Sequence, residues 1–194
     1  MKNRNAVKVV NQLKSKLRPY KEIQCFSTKP GIYAIGFNGE NFPLSSAKDK
    51  VKNGVIIYIG KTQSSQEVRD KNTHFKNGRT KSSTLRRSIG AILREDLNLI
   101  PLPRSFTETT EKRFTNYKFD DNGEELLTDW MTSNLSLSFY EFSGGVNEMK
   151  GLERDIINHL KPILNLSNNT GNPWKSEVES LRKKCSEIAR NADC

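Results

Sequence analysis

Tyr33, Tyr58, Lys61, Arg69, His74 and Glu153 are the side chains whose types and order could act on a phosphate ester. Hydrolysis of a phosphodiester needs an activated water, a counter-charge for the transition-state oxygens and help for the departing alkoxide. Glu153 is the best single metal ligand. A hard cation such as Mg²⁺, or Mn²⁺ in its place, takes carboxylate oxygen and keeps most of its waters, so one carboxylate can serve. The planar fork of Arg69 can hold two phosphate oxygens and offset developing charge. Lys61 can bind phosphate directly, or lend a positive field to the phenols of Tyr33 and Tyr58. Those phenols ionise near pH ~10 in water and need a nearby cation to work as bases. His74 stands five positions after Arg69, close to the same helical face if the α pitch holds, with a surface histidine as the alternative. Each residue alone has a plain structural reading, such as a strand aromatic, a solvated arginine or a surface glutamate. The ordered set favours chemistry.

The charge balance points the same way. Lys and Arg total 32 against 22 acids, a formal charge of +10 in 194 residues. Such an excess attracts polyanions, nucleic acid first and anionic membrane second. Arg79, Lys81, Arg86 and Arg87, with Lys76, follow the Arg69 segment directly and form a candidate grip on a phosphate backbone. No stretch approaches the ~20 apolar residues of a membrane span, and residues 1–17 lack the unbroken apolar segment of a secretory leader. A cytoplasmic protein is expected, with no membrane partner. Cys25, Cys185 and Cys194 are far apart and odd in number, which argues for free thiols rather than a disulfide or zinc framework. Apolar residues at 34% suffice for one core, so a single domain over 1–194 is expected.

Two strands and two helices must position these side chains. Residues 31–37 and 54–60 are apolar, β-branched runs that read as strands. Ser64 with Glu67 forms a capping box opening a helix toward Phe75, and Asn77-Gly78 stops it. Ser83 opens a further helix with Leu85, Ile89, Ile92 and Leu93 inward and Arg86, Arg87 and Arg94 outward. Residues 98–121 read mostly as loop, with a short strand near 117–119, and 124–132 as helix. Residues 135–142 alternate with period two, a half-buried strand, and 147–160 form a helix that puts Glu153 at the edge of its apolar stripe. Amphipathic helices over about 5–18 and from Ser176 onward extend the two ends. The order implies an α+β fold with a small, mostly antiparallel sheet.

Gly31-Ile32-Tyr33 and Tyr58-Ile59-Gly60, each in its strand, followed in order by Lys61, Arg69, His74, Glu153 and Asn165, resemble the pattern of the GIY-YIG nuclease family. The resemblance covers roughly residues 30–166. It implies a three-stranded sheet flanked by helices, with an insertion at 98–134 and helical extensions at 1–20 and 174–191. The separation of 25 positions from Tyr33 to Tyr58, and the insertion, are similar to elaborations of the family's restriction-type endonucleases. The implied activity is metal-dependent hydrolysis of DNA at a single Mg²⁺ (or Mn²⁺), with a water attacking in line, assisted by the metal or a tyrosine. Tyr33, Tyr58, Lys61, Arg69, His74 and Glu153 would form the site, with Glu153 as metal ligand. Gly31, Gly60 and Asn165 would support it, Gly60 by letting the chain turn toward phosphate and Asn165 by pinning the loop after the active-site helix. RNA stays open as substrate, and a homodimer is compatible with the family. A catalytically silent nucleic-acid-binding module of the same fold is the other reading, set against the presence of every expected catalytic side-chain type.

Overall fold

A computed structural model describes residues 2–192; Cys194 lies outside them. In chain order the elements are α1 (Lys2–Ser15), β1 (Arg18–Pro19), β2 (Gly31–Phe37), β3 (Ile56–Thr62), a π-helix (Glu67–His74), α2 (Thr84–Leu93), β4 (Pro101–Leu102), α3 (Lys112–Thr115), β5 (Lys118–Phe119), α4 (Asp121–Asn134), β6 (Leu135–Glu141), α5 (Val146–Leu160) and α6 (Lys175–Asn191). The fold is α+β, as the residue order implied. Among the described residues, no helix is long and apolar enough to cross a membrane.

The chain divides into two compact units, Met1–Lys71 with Thr132–Lys175, and Asn72–Met131 with Ser176–Cys194. This division does not coincide with the 30–166 core and 98–134 insertion drawn from the sequence.

The first unit holds an antiparallel sheet in the order β1-β6-β2-β3. Three strands are of full length, and β1 adds a two-residue fourth at the edge, where Arg18 and Pro19 pair with Leu137 and Ser136. Proline is tolerated there because an edge strand needs no inward N–H from it. The N-terminal helix ends at Ser15, earlier than expected, because the chain must extend to make this pairing. Ile32 and Ala34 of β2 and Ile59 of β3 present one sheet face to Val9, Val10 and Leu13 of α1 and to Met149, Leu152 and Ile156 of α5. Those positions recur at helical spacing, so each helix buries a single stripe. The long loop between β2 and β3 closes with Gly54 at φ +82°, a left-handed position that glycine occupies at no steric cost. For that reason β3 begins at Ile56, two residues later than the apolar run begins.

The second unit is mainly helical, with a two-stranded β4–β5 pair in which Pro101 faces Phe119 and Leu102 faces Lys118. Helix α2 is capped by Ser83, whose side chain accepts from the backbone N–H of Arg86 at 3.1 Å. Eight of its ten residues are buried, including Arg86, Arg87 and Ser88. The expected outward arginine face is therefore a correction for Arg86 and Arg87: α2 is enclosed on most sides, not on one stripe.

Candidate active site

In the register of β2 against β3, Tyr33 lies opposite Gly60 and Ile35 opposite Tyr58. Tyr33 and Tyr58 are thus diagonal neighbours on one sheet face, not directly opposed partners, and their ring centroids lie 6.2 Å apart. Gly60 serves this pair by leaving room. A Cβ there would stand 2.2 Å from the Tyr33 ring, so the hydroxyl end of the ring fills the space a side chain would take. This corrects the expected role of Gly60 as a turn toward phosphate: it sits inside β3, away from any turn. Gly31 likewise leaves no space for a side chain, since a Cβ would meet the Tyr140 carbonyl at 2.2 Å.

Arg69 comes to this face from the π-helix. Ser65, not Ser64, opens that segment: its hydroxyl accepts from Val68 N–H at 3.1 Å, and its carbonyl from Arg69 N–H at 3.2 Å. The winding that follows reaches back five residues per hydrogen bond and replaces the expected α pitch. Arg69 Nε donates to the Tyr33 hydroxyl at 3.3 Å. Tyr33 is 1% exposed. Burial pushes its phenol well above the ordinary range; Tyr58 and Asp70 add to the rise, while Arg69 pulls it back. Burial also raises the half-buried Tyr58, offset by the Arg69 charge and by a hydrogen bond with the Tyr33 hydroxyl, with Glu153 opposing.

Asp70 is the residue that sequence reasoning missed. It is wholly buried, and its carboxylate forms no ion pair among the described residues. Burial raises its carboxyl well above the carboxylate range, with Arg69 and the polar side chain of Gln66 pulling back. A polar stretch, Glu67-Val68-Arg69-Asp70-Lys71, carries no apolar period that would mark one acid as internal. The only signal was adjacency to Arg69.

Lys61 pairs with Ile32 across the strands, on the face that α5 covers, and its Nζ donates a hydrogen bond to Glu153 Oε2. The two side chains keep 27% and 13% of their exposure, so the pair is partly open to solvent. Asn165 fixes the outer edge of β3. Its Oδ1 accepts from Ile59 N–H and its Nδ2 donates to Ile59 C=O, each at 2.8 Å, while Leu164 N–H donates to Ile57 C=O at 2.9 Å. The segment after α5 therefore supplies the partners that an edge strand would otherwise offer to another chain. Tyr33, Arg69, Asp70 and Glu153 all act on the Tyr58 phenol, so the first unit gathers them around β3.

No group of three or more His, Cys, Asp or Glu is clustered for a metal among the described residues. The donor set fits a hard cation that keeps most of its waters: one partly exposed carboxylate, Glu153, whose charge acts on the Tyr58 phenol. It does not fit a cation that requires an all-protein cage.

The remaining predicted residues belong to the second unit. His74 is fully buried, with Nδ1 2.7 Å from Ser83 Oγ. Arg86 is also fully buried and saturated. Its Nε donates to Thr80 Oγ1 at 3.0 Å, Nη1 to the His74 carbonyl at 3.3 Å, and Nη2 to Glu124 Oε2 at 2.7 Å and Thr128 Oγ1 at 3.0 Å. Arg87 Nη1 donates to the carbonyls of Thr80 and Lys81 at 3.1 and 3.0 Å. Neither guanidinium presents itself to a phosphate. Arg79 and Lys81 are exposed.

A family model described as the GIY-YIG catalytic domain matches residues 31–184. It spans most of the chain and both triplets in β2 and β3, and this chain belongs to the GIY-YIG family. No curated protein and no solved structure matches it significantly. Membership supports a nuclease-type hydrolase acting on nucleic acid, in a family that generally depends on divalent metal.

Proposed function

We propose that the chain is a metal-dependent DNA endonuclease. The observation that carries this reading is the connected set Arg69–Tyr33–Tyr58, with the Glu153 charge acting on the Tyr58 phenol. Tyr33 accepts from Arg69 Nε, which leaves its own proton to donate toward Tyr58. Tyr33, the deeper phenol, keeps its proton, because burial makes its phenolate costly. Tyr58 is the half-buried phenol at the same face, and its phenolate form, which the Arg69 charge favours against burial, is assigned to take a proton from the attacking water. Arg69 has further guanidinium N–H groups beyond the one on Tyr33, and a fork of this kind stabilises charge on phosphoryl oxygens as the water adds. Glu153 would hold Mg²⁺ or Mn²⁺, which when bound supplies charge neutralisation and an acidified water. Lys61 is assigned to Glu153 in the resting site and to phosphate when DNA is present. Exposed Arg79 and Lys81 are assigned to the DNA backbone. His74, enclosed against Ser83, is assigned to positioning the start of α2, since a proton-transfer group must reach its substrate.

The test is incubation of pure protein with supercoiled plasmid in Mg²⁺ and in EDTA. Nicked or linear product with Mg²⁺ only is the expected result. Binding without cutting in both Mg²⁺ and Mn²⁺ would instead establish the silent nucleic-acid-binding module.

A further inference from the structure

The positive charge of this chain is concentrated at one place. Lys2, Arg4, Lys8, Lys14, Lys16, Arg18 and Lys21 precede the first acid, Glu22, so seven of the ten net charges lie within residues 1–21. Most of them are carried by α1. Its apolar stripe, Ala6, Val9, Val10 and Leu13, is at most 2% exposed and packs into the core that includes Leu152 and Ile156 of α5. The opposite side exposes Arg4, Lys8, Asn11, Lys14 and Ser15. An open groove of about 570 Å³ runs along it, lined by Arg4, Val7, Lys8, Asn11, Gln12 and Ser15. Among the described residues, no carboxylate lies within ion-pair distance of Arg4, Lys8 or Lys14.

We infer that the outward face of α1 is the main docking surface for the phosphate backbone of duplex DNA. The inference rests on the nuclease reading and names which surface grips the substrate. At 1.5 Å per residue, Arg4 to Lys16 spans about 18 Å, the length of roughly five base-pair steps. Lysine and arginine interleaved with Asn11, Gln12 and Ser15 are the side-chain types that bond phosphate oxygens. α5, which packs against α1, carries Glu153, so a backbone held on α1 stays on the unit that contains the cluster. An anionic membrane is the weaker fit. A helix that lies in a lipid interface inserts an apolar face, and that of α1 is already committed to the core. Burial of Arg86 and Arg87 removes half of the basic stretch that would otherwise compete for this role.

The test is fluorescence anisotropy of the full chain with a labelled DNA duplex in EDTA, across a series of KCl concentrations. Replacing Arg4, Lys8 and Lys14 together with Gln should flatten the slope of log affinity against log salt. The change expected is roughly 0.9 for each phosphate no longer neutralised, or about 2 to 3 for the three. Replacing Lys8 and Lys14 with Arg should leave the slope as in wild type. Circular dichroism should show both variants helical, because these side chains are exposed. An unchanged slope in the folded Gln variant would overturn the inference while leaving the nuclease reading intact. Failure of the wild-type chain to bind any duplex would overturn both. Phosphatidylserine vesicles form the control arm: if the Gln variant loses vesicle binding and keeps its DNA slope, the surface is membrane-directed and the inference is wrong.

Discussion

Two arginines near buried carboxylates, Arg86 with Glu124 in the second unit and Arg69 next to Asp70 in the first, show what distinguishes a scaffold from a site. In the second unit Arg86 and Glu124 are joined at 2.7 Å, and both ends are filled. Arg86 meets Thr80, Thr128, the His74 carbonyl and the Glu124 carbonyl, while Glu124 accepts from Thr80 and from the Phe119 N–H. A buried ion pair satisfied on every side defines one geometry and has nothing left to give a substrate. In the first unit Arg69 and Asp70 are neighbours in sequence, yet among the described residues no ion pair or network like that of Glu124 surrounds the Asp70 carboxylate, and Arg69 directs one N–H to Tyr33. Polar groups buried without partners are costly, and such a cost is tolerated where an incoming ligand can use it. Arginine and a buried carboxylate thus hold a fold in one unit, and in the other are the groups that the proposed function turns toward phosphate.

Breaking each pair should give opposite signatures. Arg86→Ala leaves Glu124 buried and uncompensated, and a loss of about 3–5 kcal/mol is expected. Urea denaturation followed by circular dichroism reads it, and a loss below about 1 kcal/mol, the range of an exposed pair, would remove Arg86 from its scaffold role. Arg69→Ala should lower single-turnover cleavage of plasmid by about 10²–10³ with little change in the same denaturation curve. Arg69→Lys should recover only part of that rate, because a point charge lacks the fork.

Asp70→Asn sharpens the comparison through pH. Burial raises the native carboxyl above its unfolded value, so the native state holds its proton more tightly. The contribution of Asp70 to stability is then present in full below the unfolded value, near pH ~4, and lost as pH rises toward the native one. The Asn variant, which cannot ionise, should gain stability relative to wild type as pH rises above ~4, and the two should converge in acid. A gap independent of pH would show that the Asp70 carboxyl is not displaced by burial. The smallest effect is expected from Arg79→Gln with Lys81→Gln, which should flatten the salt slope of DNA binding by less than the α1 variant does. An equal or larger change would move the grip to the second unit.

The sequence located the strands that carry Tyr33 and Tyr58, because apolar β-branched runs bounded by glycine have few alternatives. It located α5 and Glu153 through a clean helical stripe. What it missed shares one cause. Burial of Arg86 is decided by a partner distant along the chain, Glu124, and for Arg86, Arg87 and Asp70 alike a local polar pattern reads as solvent-facing. The Tyr33 ring over Gly60 is a cross-strand fact, visible only once the register is known. The two-residue strands β1 and β4 contain too few residues to show a period.

Glu153→Gln offers the most direct measure of the central claim, because it keeps the shape of the side chain and removes the carboxylate that pairs with Lys61 and acts on the Tyr58 phenol. Its plasmid nicking in Mg²⁺ should fall to background, while its affinity for duplex DNA in EDTA and its denaturation midpoint stay close to wild type. Nicking by the folded variant at the wild-type rate would contradict the assignment of Glu153, and with it the site assembled around β3.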